Sequence, residues 1–595
     1  MCGIAGIMTV SGDAPDGKAL QSLTDALAHR GPDGDGIAVS GGVGLVQTRL
    51  AIIDLETGDQ PFLAAAGKGK ENAALVANGE IYNYVELRLD MGRVDFQTKS
   101  DCEPPLHLYF RHGLGFARHL RGMFAIAIHD PEEDCLVLSR DPFGIKPLYY
   151  AEIETGFVFA SEPQALHRAG LVKAALKAGP RDELLQLQFS TGAETVFEGI
   201  KRLLPGETLQ VRRGRISDRL VMHALPGGGP GDMPKGMALR RLDELLNESV
   251  GIHQRSDVPY GMFLSGGIDS SVLLTMMTRL NERPVRAFTA GFSGTTVSDE
   301  RDHARAVAAA TGADHTEVDF SENDFWALLP GVAAAMDDPA ADYAVLPTYK
   351  LAAVARDAGL KVVLSGEGGD EMFGGYGRYR RVRRARIFGG RPMREGGVFD
   401  GLGVLRDHPT GWRDGFTRIE ADAKTPGRTV LQSAQAVDCA DWLPNDLLTK
   451  LDRCLMAHGV EGRVPLLDVK LASFAFGLPD KLKVRRGQGK WLLRKWLQSA
   501  LPAAKPFTRK KGFTVPVGEW IGREGARLGP LVAKQSCIDE ICDPQSVEGL
   551  FMASGSGNGQ KAGQAAWVLL FYALWHRRHI QGVEPEGGVF EVLGG

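Results

Sequence analysis

Residues 258–271 read VPYGMFLSGGIDSS: an apolar run of buried-strand type, a glycine-rich turn, and the opening of a helical pattern. A turn of this kind exposes backbone N–H groups at a helix N-terminus, where the dipole favours an anion. Gly266 and Gly267 allow close backbone approach to phosphate, and Ser265, Ser270 and Ser271 add hydroxyl donors. Asp269 is unwelcome beside phosphate unless Mg²⁺ bridges the two. The lysine of G-x-x-x-x-G-K-[ST] is missing, so this is not the usual P-loop. The bland alternative is a plain glycine-rich strand–helix turn.

Working outward, VRAFTAGF (285–292), HTEVDF (315–320) and LKVVLSG (360–366) are further buried-type strands, each followed by a helical pattern. Such alternation implies a doubly wound parallel sheet covered on both faces. LSGEGGDE (364–371) repeats the logic of the first loop. Ser365, Gly366, Gly368 and Gly369 give a permissive backbone, and Glu367, Asp370 and Glu371 give carboxylates for metal or general-base work. Ligands of open α/β sheets bind beyond the carboxyl ends of the strands, so the two loops could converge on one nucleotide. Read alone, the second loop is equally a solvated turn. Beyond residue 440 the patterns are mainly helical.

Upstream, short strand runs such as GLVQTRLAII (44–53), AALVANGEIYN (73–83) and MFAIAIHD (123–130) are broken by few helices. They imply stacked antiparallel sheets with helices outside, hence an α+β domain joined to an α/β one. HALPGGGPGDMPKG (223–236) reads as a linker. The expected division is a first domain at 1–215, a linker at 216–236 and a second domain at 237–585. Gly389 to Arg428 is Gly- and Arg-rich and poorly periodic, which reads as a surface insertion. RYRRVRRAR (378–386) concentrates six arginines, either a solvated or interface helix face or a positive rim near an anionic substrate.

The chain opens MCGIAG, with a cysteine directly behind Met1. Trimming of Met1 would leave Cys2 with a thiol and an α-amine on one residue. An α-amine titrates near pH ~8 and can take the thiol proton. The alternative is a buried cysteine at the start of an edge strand. With 595 residues the chain should hold two or more domains. A net charge of −4 gives no general attraction to nucleic acid or anionic membranes. No run approaches the ~18 apolar residues of a membrane span, and no signal peptide is expected. Seven scattered cysteines without C-x-x-C pairs argue against zinc and disulfides. A cytoplasmic protein is expected.

MCGIAG, HRGPDG, RLAIID, NGEIYN, SDCE, RDPFGIKPLYY, SGGIDSS, SGEGGDE, LDRCLMAHGVEGRVPLLD and RKKGF, in that order, resemble the glutamine-hydrolysing asparagine synthetases. The resemblance covers nearly the whole chain, except the linker, 389–428 and the last dozen residues. It implies an N-terminal-nucleophile glutaminase domain fused to an ATP-pyrophosphatase domain, with ammonia crossing an internal passage. It further implies that Cys2 attacks the glutamine carboxamide and that Asn78 and Gly79 form the oxyanion hole. Arg49 would pair with the glutamine α-carboxylate, Asp101 and Glu80 would hold its ammonium, and Leu50 to Ile53 would line the pocket. In the second domain Ser265, Gly266, Gly267, Asp269 and Ser270 would grip pyrophosphate and Mg²⁺. Leu264, Ala290, Ser365 and Gly366 would contact adenosine, and Asp370 would be the second metal carboxylate. Glu367 would be the base for ammonia attack, and Lys510 would neutralise charge on the acyl-phosphate region.

Two departures are visible. Pro104 and Pro105 stand where an apolar helix is usual, which a first turn tolerates, and Phe263 replaces an aliphatic residue at the adenine pocket. The expected partners are small molecules (glutamine, aspartate and ATP), with no nucleic acid and no membrane, and a homodimer is compatible with the sequence. Aspartate is the favoured acceptor. Alternatives are the same chemistry on a peptide, sugar acid or secondary metabolite, or a silent glutamine or nucleotide sensor. The intact Cys2, Asn78, Asp269 and Glu367 count against silence.

Overall fold

The computed structural model describes residues 2–65, 67, 70–293, 295, 300–384, 387, 389–508, 515–555 and 560–595. Two six-stranded sheets form the first domain. The first runs, in spatial order, Lys201–Arg202, Tyr149–Ile153, Gly156–Ala160, Gly3–Thr9, Val43–Arg49, Gly34–Ser40. The second runs Arg215–Val221, Glu207–Arg212, Cys135–Arg140, Gly122–Asp130, Asn72–Ile81, Phe62–Ala65. Neighbours in both are antiparallel. Side chains alternate across a strand, and Gly3–Thr9 uses both faces. Ile4 and Met8 point between the sheets with Leu45, Val76 and Leu138, whereas Ala5 and Ile7 join Leu20, Leu23 and Leu27 of the helix Gly17–Leu27. The helix Pro104–His112 covers the outer face of the second sheet. Pro104 and Pro105 occupy its first turn, where the missing N–H costs nothing.

The second domain is built on five parallel strands in the order Asp314–Asp319, Arg286–Gly291, Tyr260–Phe263, Val362–Leu364, Glu461–Arg463. Counted in chain order this is 3-2-1-4-5. The chain builds outward from strand 1 in one direction, then returns and builds in the other. The carboxyl ends of strands 1 and 4 therefore lie side by side where the winding reverses, the place such sheets bind ligands. Those two ends carry SGGIDSS and SGEGGDE.

Two boundaries and one insertion differ from the sequence expectation. Arg215–Val221 pairs with Glu207–Arg212 as the edge strand of the second sheet, so residues 216–221 belong to the first domain rather than to the linker. Its polar, largely exposed face hid it. The second domain does not stop at 585: the helix Val589–Gly594 buries Val589 and Leu593, and Phe590 packs at a tilt against Trp326, ring centroids 5.1 Å apart. The 389–428 stretch is not a surface appendage either. It buries Met393, Val398, Phe399 and Phe416, and its Val398 and Phe399 amides donate to Gln186 of the first domain at 3.0 and 3.1 Å.

Candidate active sites

Cys2 is buried at the head of the Gly3–Thr9 strand, and its N donates to Asn78 Oδ1 at 3.2 Å. Burial pushes the Cys2 thiol up, while the Leu50 amide and the Gln47 side chain pull it partly back. Asn78 lies in Asn72–Ile81, paired opposite Ala125. With its oxygen engaged, its buried Nδ2 has no partner among the described residues. A buried donor left unmade is expensive, and here it lies on the residue that contacts Cys2. Gly79 is needed for packing as well: a Cβ there would lie 2.1 Å from the Met123 carbonyl oxygen.

The RLAIID loop is folded by Asp54, which sits at φ 55° and accepts from the Thr57 amide at 3.0 Å and the Lys99 amide at 2.8 Å. Arg49 donates to the Asp54 carbonyl and meets the exposed Asp59 at 2.7 Å. Leu50 is buried and Ile53 half-buried. Glu80 and Asp101 are both buried, and the Ile81 amide donates to Asp101 Oδ2 at 2.7 Å. Burial raises both carboxyls, and each feels other acids beside it. Asp101 lifts Glu80 further, while Arg463 offsets part of the cost for both. Such a pair suits a cation.

The second site is a cleft of about 520 Å³ at the 1/4 strand junction. Leu264, Ser265, Gly267, Asp269, Ser270, Ala290, Ser365, Gly366, Glu367 and Asp370 all line it, with Phe263. Gly266, at φ 70°, faces an adjoining hollow instead. Gly267 caps the helix Ile268–Leu280, and its amide donates to Ser265 Oγ at 3.2 Å. The two loops touch: a Cβ on Gly366 would lie 3.0 Å from Asp269 Cβ, and one on Gly369 only 2.4 Å from Asp269 Oδ1.

Asp269 and Asp370 converge on one cation, the Lys490 ammonium, which lies 2.8 Å from Asp370 Oδ1 and in contact with Asp269 Oδ2. Although burial opposes its charge, the two carboxylates hold Lys490 above the ordinary lysine range. Two hard oxygen donors beside a phosphate-type loop also fit a magnesium ion. Deeper in, Glu367 is raised by burial, with Lys450 opposing and Asp342 reinforcing. Lys450 itself meets Asp342 at 2.8 Å.

Lys510 lies outside the described residues. Lys490 and Lys450 escaped the sequence reading. Their only signals are a lysine closing the turn GQGK before the helix Trp491–Ala500, and a lysine next to LDRC.

The sites are joined through the strand Glu461–Arg463. Arg463 meets Glu461 at 2.6 Å and reaches Glu80 of the first domain at 3.2 Å. Its carbonyl accepts from the Ser365 amide at 2.8 Å. Further buried ion pairs cross the interface: Arg30 with Asp452 at 2.8 Å, Arg202 with Asp338 at 2.6 Å and Arg121 with Asp468 at 2.6 Å.

Residues 1–221 match the family model of the glutamine amidotransferase domain, and 241–577 match that of asparagine synthase. Asparagine synthetase [glutamine-hydrolyzing] 1 of Bacillus subtilis (strain 168) is 31% identical over 634 residues, covering 98% of this chain and 97% of that one. The putative asparagine synthetase [glutamine-hydrolyzing] of Mycobacterium tuberculosis (strain ATCC 25618 / H37Rv) is 33% identical over 638 residues, covering 97% of each. Asparagine synthetase B [glutamine-hydrolyzing] of Escherichia coli (strain K12) is 30% identical, over 88% of this chain and 83% of that one. Among the described residues no helix is long and apolar enough to cross a membrane.

Proposed function

Because this chain belongs to the glutamine-hydrolysing asparagine synthetase family, we propose that it makes asparagine from aspartate, ATP and glutamine-derived ammonia. The observation that carries the reading is the convergence of Asp269 and Asp370, from neighbouring strand ends, on Lys490 beside the SGG turn.

In the first half-reaction Cys2 Sγ attacks the glutamine carboxamide and its proton passes to the Cys2 amine once Met1 is removed. Asn78 Nδ2 and the Gly79 amide donate to the oxygen on which charge develops, where preorganised donors act most strongly. Arg49 pairs with the α-carboxylate, and Glu80 and Asp101 with the α-ammonium. The C–N bond then breaks, the proton on the Cys2 amine leaving with the nitrogen as ammonia, and water hydrolyses the remaining thioester to glutamate and the free Cys2 thiol. In the second, the aspartate β-carboxylate attacks the α-phosphorus of ATP, pyrophosphate leaves and an acyl-adenylate forms. Ser265, Gly267 and Ser270 orient the phosphates, and Lys490 offsets their charge. Asp269 and Asp370 would hold Mg²⁺, which when bound neutralises the leaving pyrophosphate. Ammonia attacks the acyl carbon, AMP leaves, and Glu367 accepts the surplus proton; its raised affinity for protons suits that task.

The test is one incubation with ATP, Mg²⁺, glutamine and aspartate, with asparagine, AMP, pyrophosphate and glutamate measured. Cys2→Ala is expected to abolish synthesis from glutamine and leave synthesis from added ammonia. Equal loss of both would overturn the two-site reading.

A further inference from the structure

Neither the glutaminase nor the adenylating chemistry uses the arginine cluster 378–386 or the 389–428 stretch. The fold brings the two together. Arg378 and Arg381 from the first, and Arg391 and Arg394 from the second, line a chamber of about 620 Å³ next to the adenylation cleft. Gln188 and Trp442 line both cavities, so the chamber and the cleft share a wall.

The side chains lining the chamber carry four positive charges against one negative. Arg378 pairs with Asp438 at 2.9 Å, behind the chamber. Among the described residues the side chains of Arg381, Arg391 and Arg394 form no ion pair or hydrogen bond, and the one carboxylate lining the chamber is Glu395. Arg394 is held rigidly, its guanidinium 4.2 Å from the Trp442 ring and 5.0 Å from Phe189. Its buried Nε has no hydrogen-bond partner among the described residues. Burial, and then the neighbouring Arg378, pull Arg394 down to about 10, against the opposing pull of the buried Asp438, Asp446 and Asp441, none of which forms an ion pair with it. Arg378 is fixed in the same way, 3.8 Å over Tyr376, which lines the cleft. Planar guanidinium groups fixed by aromatic stacking are suited to forked recognition of carboxylates.

We propose that this chamber is an anion-binding site for a carboxylate ligand of two or more charges, seated between Arg391 and Arg394 against the shared Trp442–Gln188 wall. Two sources fit that chemistry: the distal end of an acceptor larger than aspartate, or a separate small polycarboxylate. The acceptor source keeps the adenylating chemistry proposed above but puts a larger carboxylate in place of aspartate, whereas the binding site itself rests on neither.

Citrate is the probe. Titrated calorimetrically into the full chain, it is expected to bind saturably at one site, and Arg381→Gln/Arg391→Gln is expected to weaken it at least tenfold. Both arginines are exposed and unpartnered, so the fold should survive the change. Absence of saturable binding, or binding that the double substitution leaves within twofold, overturns the site. Pyrophosphate release separates the sources. If the acceptor extends into the chamber, the dipeptide aspartyl-glutamate is used at lower KM than aspartyl-alanine, and the double variant erases that difference. If the anion is separate, citrate shifts the KM for aspartate in the wild type and not in the variant. Release from aspartate without citrate binding removes this site and leaves the reaction standing; citrate binding without release from aspartate does the reverse.

Discussion

Lys490 shows how much chemistry can rest on a residue with no pattern around it. Its side chain is 4% exposed, and it neutralises two carboxylates that would otherwise face each other across the cleft. Lys490→Met is expected to lower pyrophosphate release by about a hundredfold or more, the usual cost of removing a preorganised electrostatic partner. Glutaminase activity should persist; unchanged release would exclude Lys490 from the reaction. Lys483 is a second buried lysine with a different fate. It donates to Gln435 Oε1 at 2.9 Å and the Phe476 carbonyl at 2.6 Å, and burial pulls it down to about 7. The unfolded chain therefore binds more protons than the folded one between about pH 7 and the ordinary lysine value near ~10.4, so stability rises with pH across that window. It is lost again as pH falls towards 7. The slope is at most about 1.4 kcal/mol per pH unit. Lys483→Met should flatten the melting temperature between pH 7.5 and 9.5 relative to wild type, and parallel profiles would refute the assignment.

At the scale of elements, the loop SGEGGDE depends on Gly368, which sits at φ 87° with Leu467 Cδ2 only 2.3 Å from where a Cβ would be. Gly368→Ala combines left-handed strain, about 1–2 kcal/mol, with a collision that moves the loop carrying Glu367 and Asp370. Pyrophosphate release is expected to fall at least tenfold while glutamine hydrolysis stays within twofold of wild type. A variant with full release would mean the loop tolerates displacement. Tyr260–Phe263 and Val362–Leu364 were legible because they are short apolar runs closed by glycine-rich turns, and their two loops carry chemistry in their residue types; Glu461–Arg463, three residues in a region of helical patterns, was not. Arg215–Val221 was not, since an edge strand with one face in water alternates too weakly to stand out beside a linker. The 389–428 stretch failed for another reason. Its burial is tied to distant elements, as by the Phe399 amide donating to Gln186 and by Met393 and Phe416 sharing a cluster with Tyr379, Leu431 and Phe476, so no local period records it. Lys490 and Lys450 are legible only after folding, because their partners lie 221 and 108 positions away.

Across the whole molecule, the domains are joined by buried charges rather than by the linker alone. Arg30 is bound by Glu162 at 2.6 Å and Asp452 at 2.8 Å, and Arg453 by Asp337 at 2.6 Å and Asp452 at 2.9 Å. Asp452 thus serves two guanidinium groups from two domains. Asp452→Ala leaves both short of a partner, a loss of about 3–5 kcal/mol by the usual cost of breaking a buried pair. We expect the wild-type chain to melt in a single calorimetric transition and the variant to melt earlier, with the domains separating into two. Two transitions in the wild type would show that the interface does not couple them. The strand Glu461–Arg463 carries a different consequence. One residue, Arg463, lends its side chain to Glu80 in the first candidate site and its carbonyl to Ser365 in the second. The halves are therefore not interchangeable parts. A glutaminase half grafted from a relative would bring its own residue opposite Arg463, and unless that residue were acidic the graft would spoil a site on each side of the seam. The freedom to exchange halves between such chains ends at this strand.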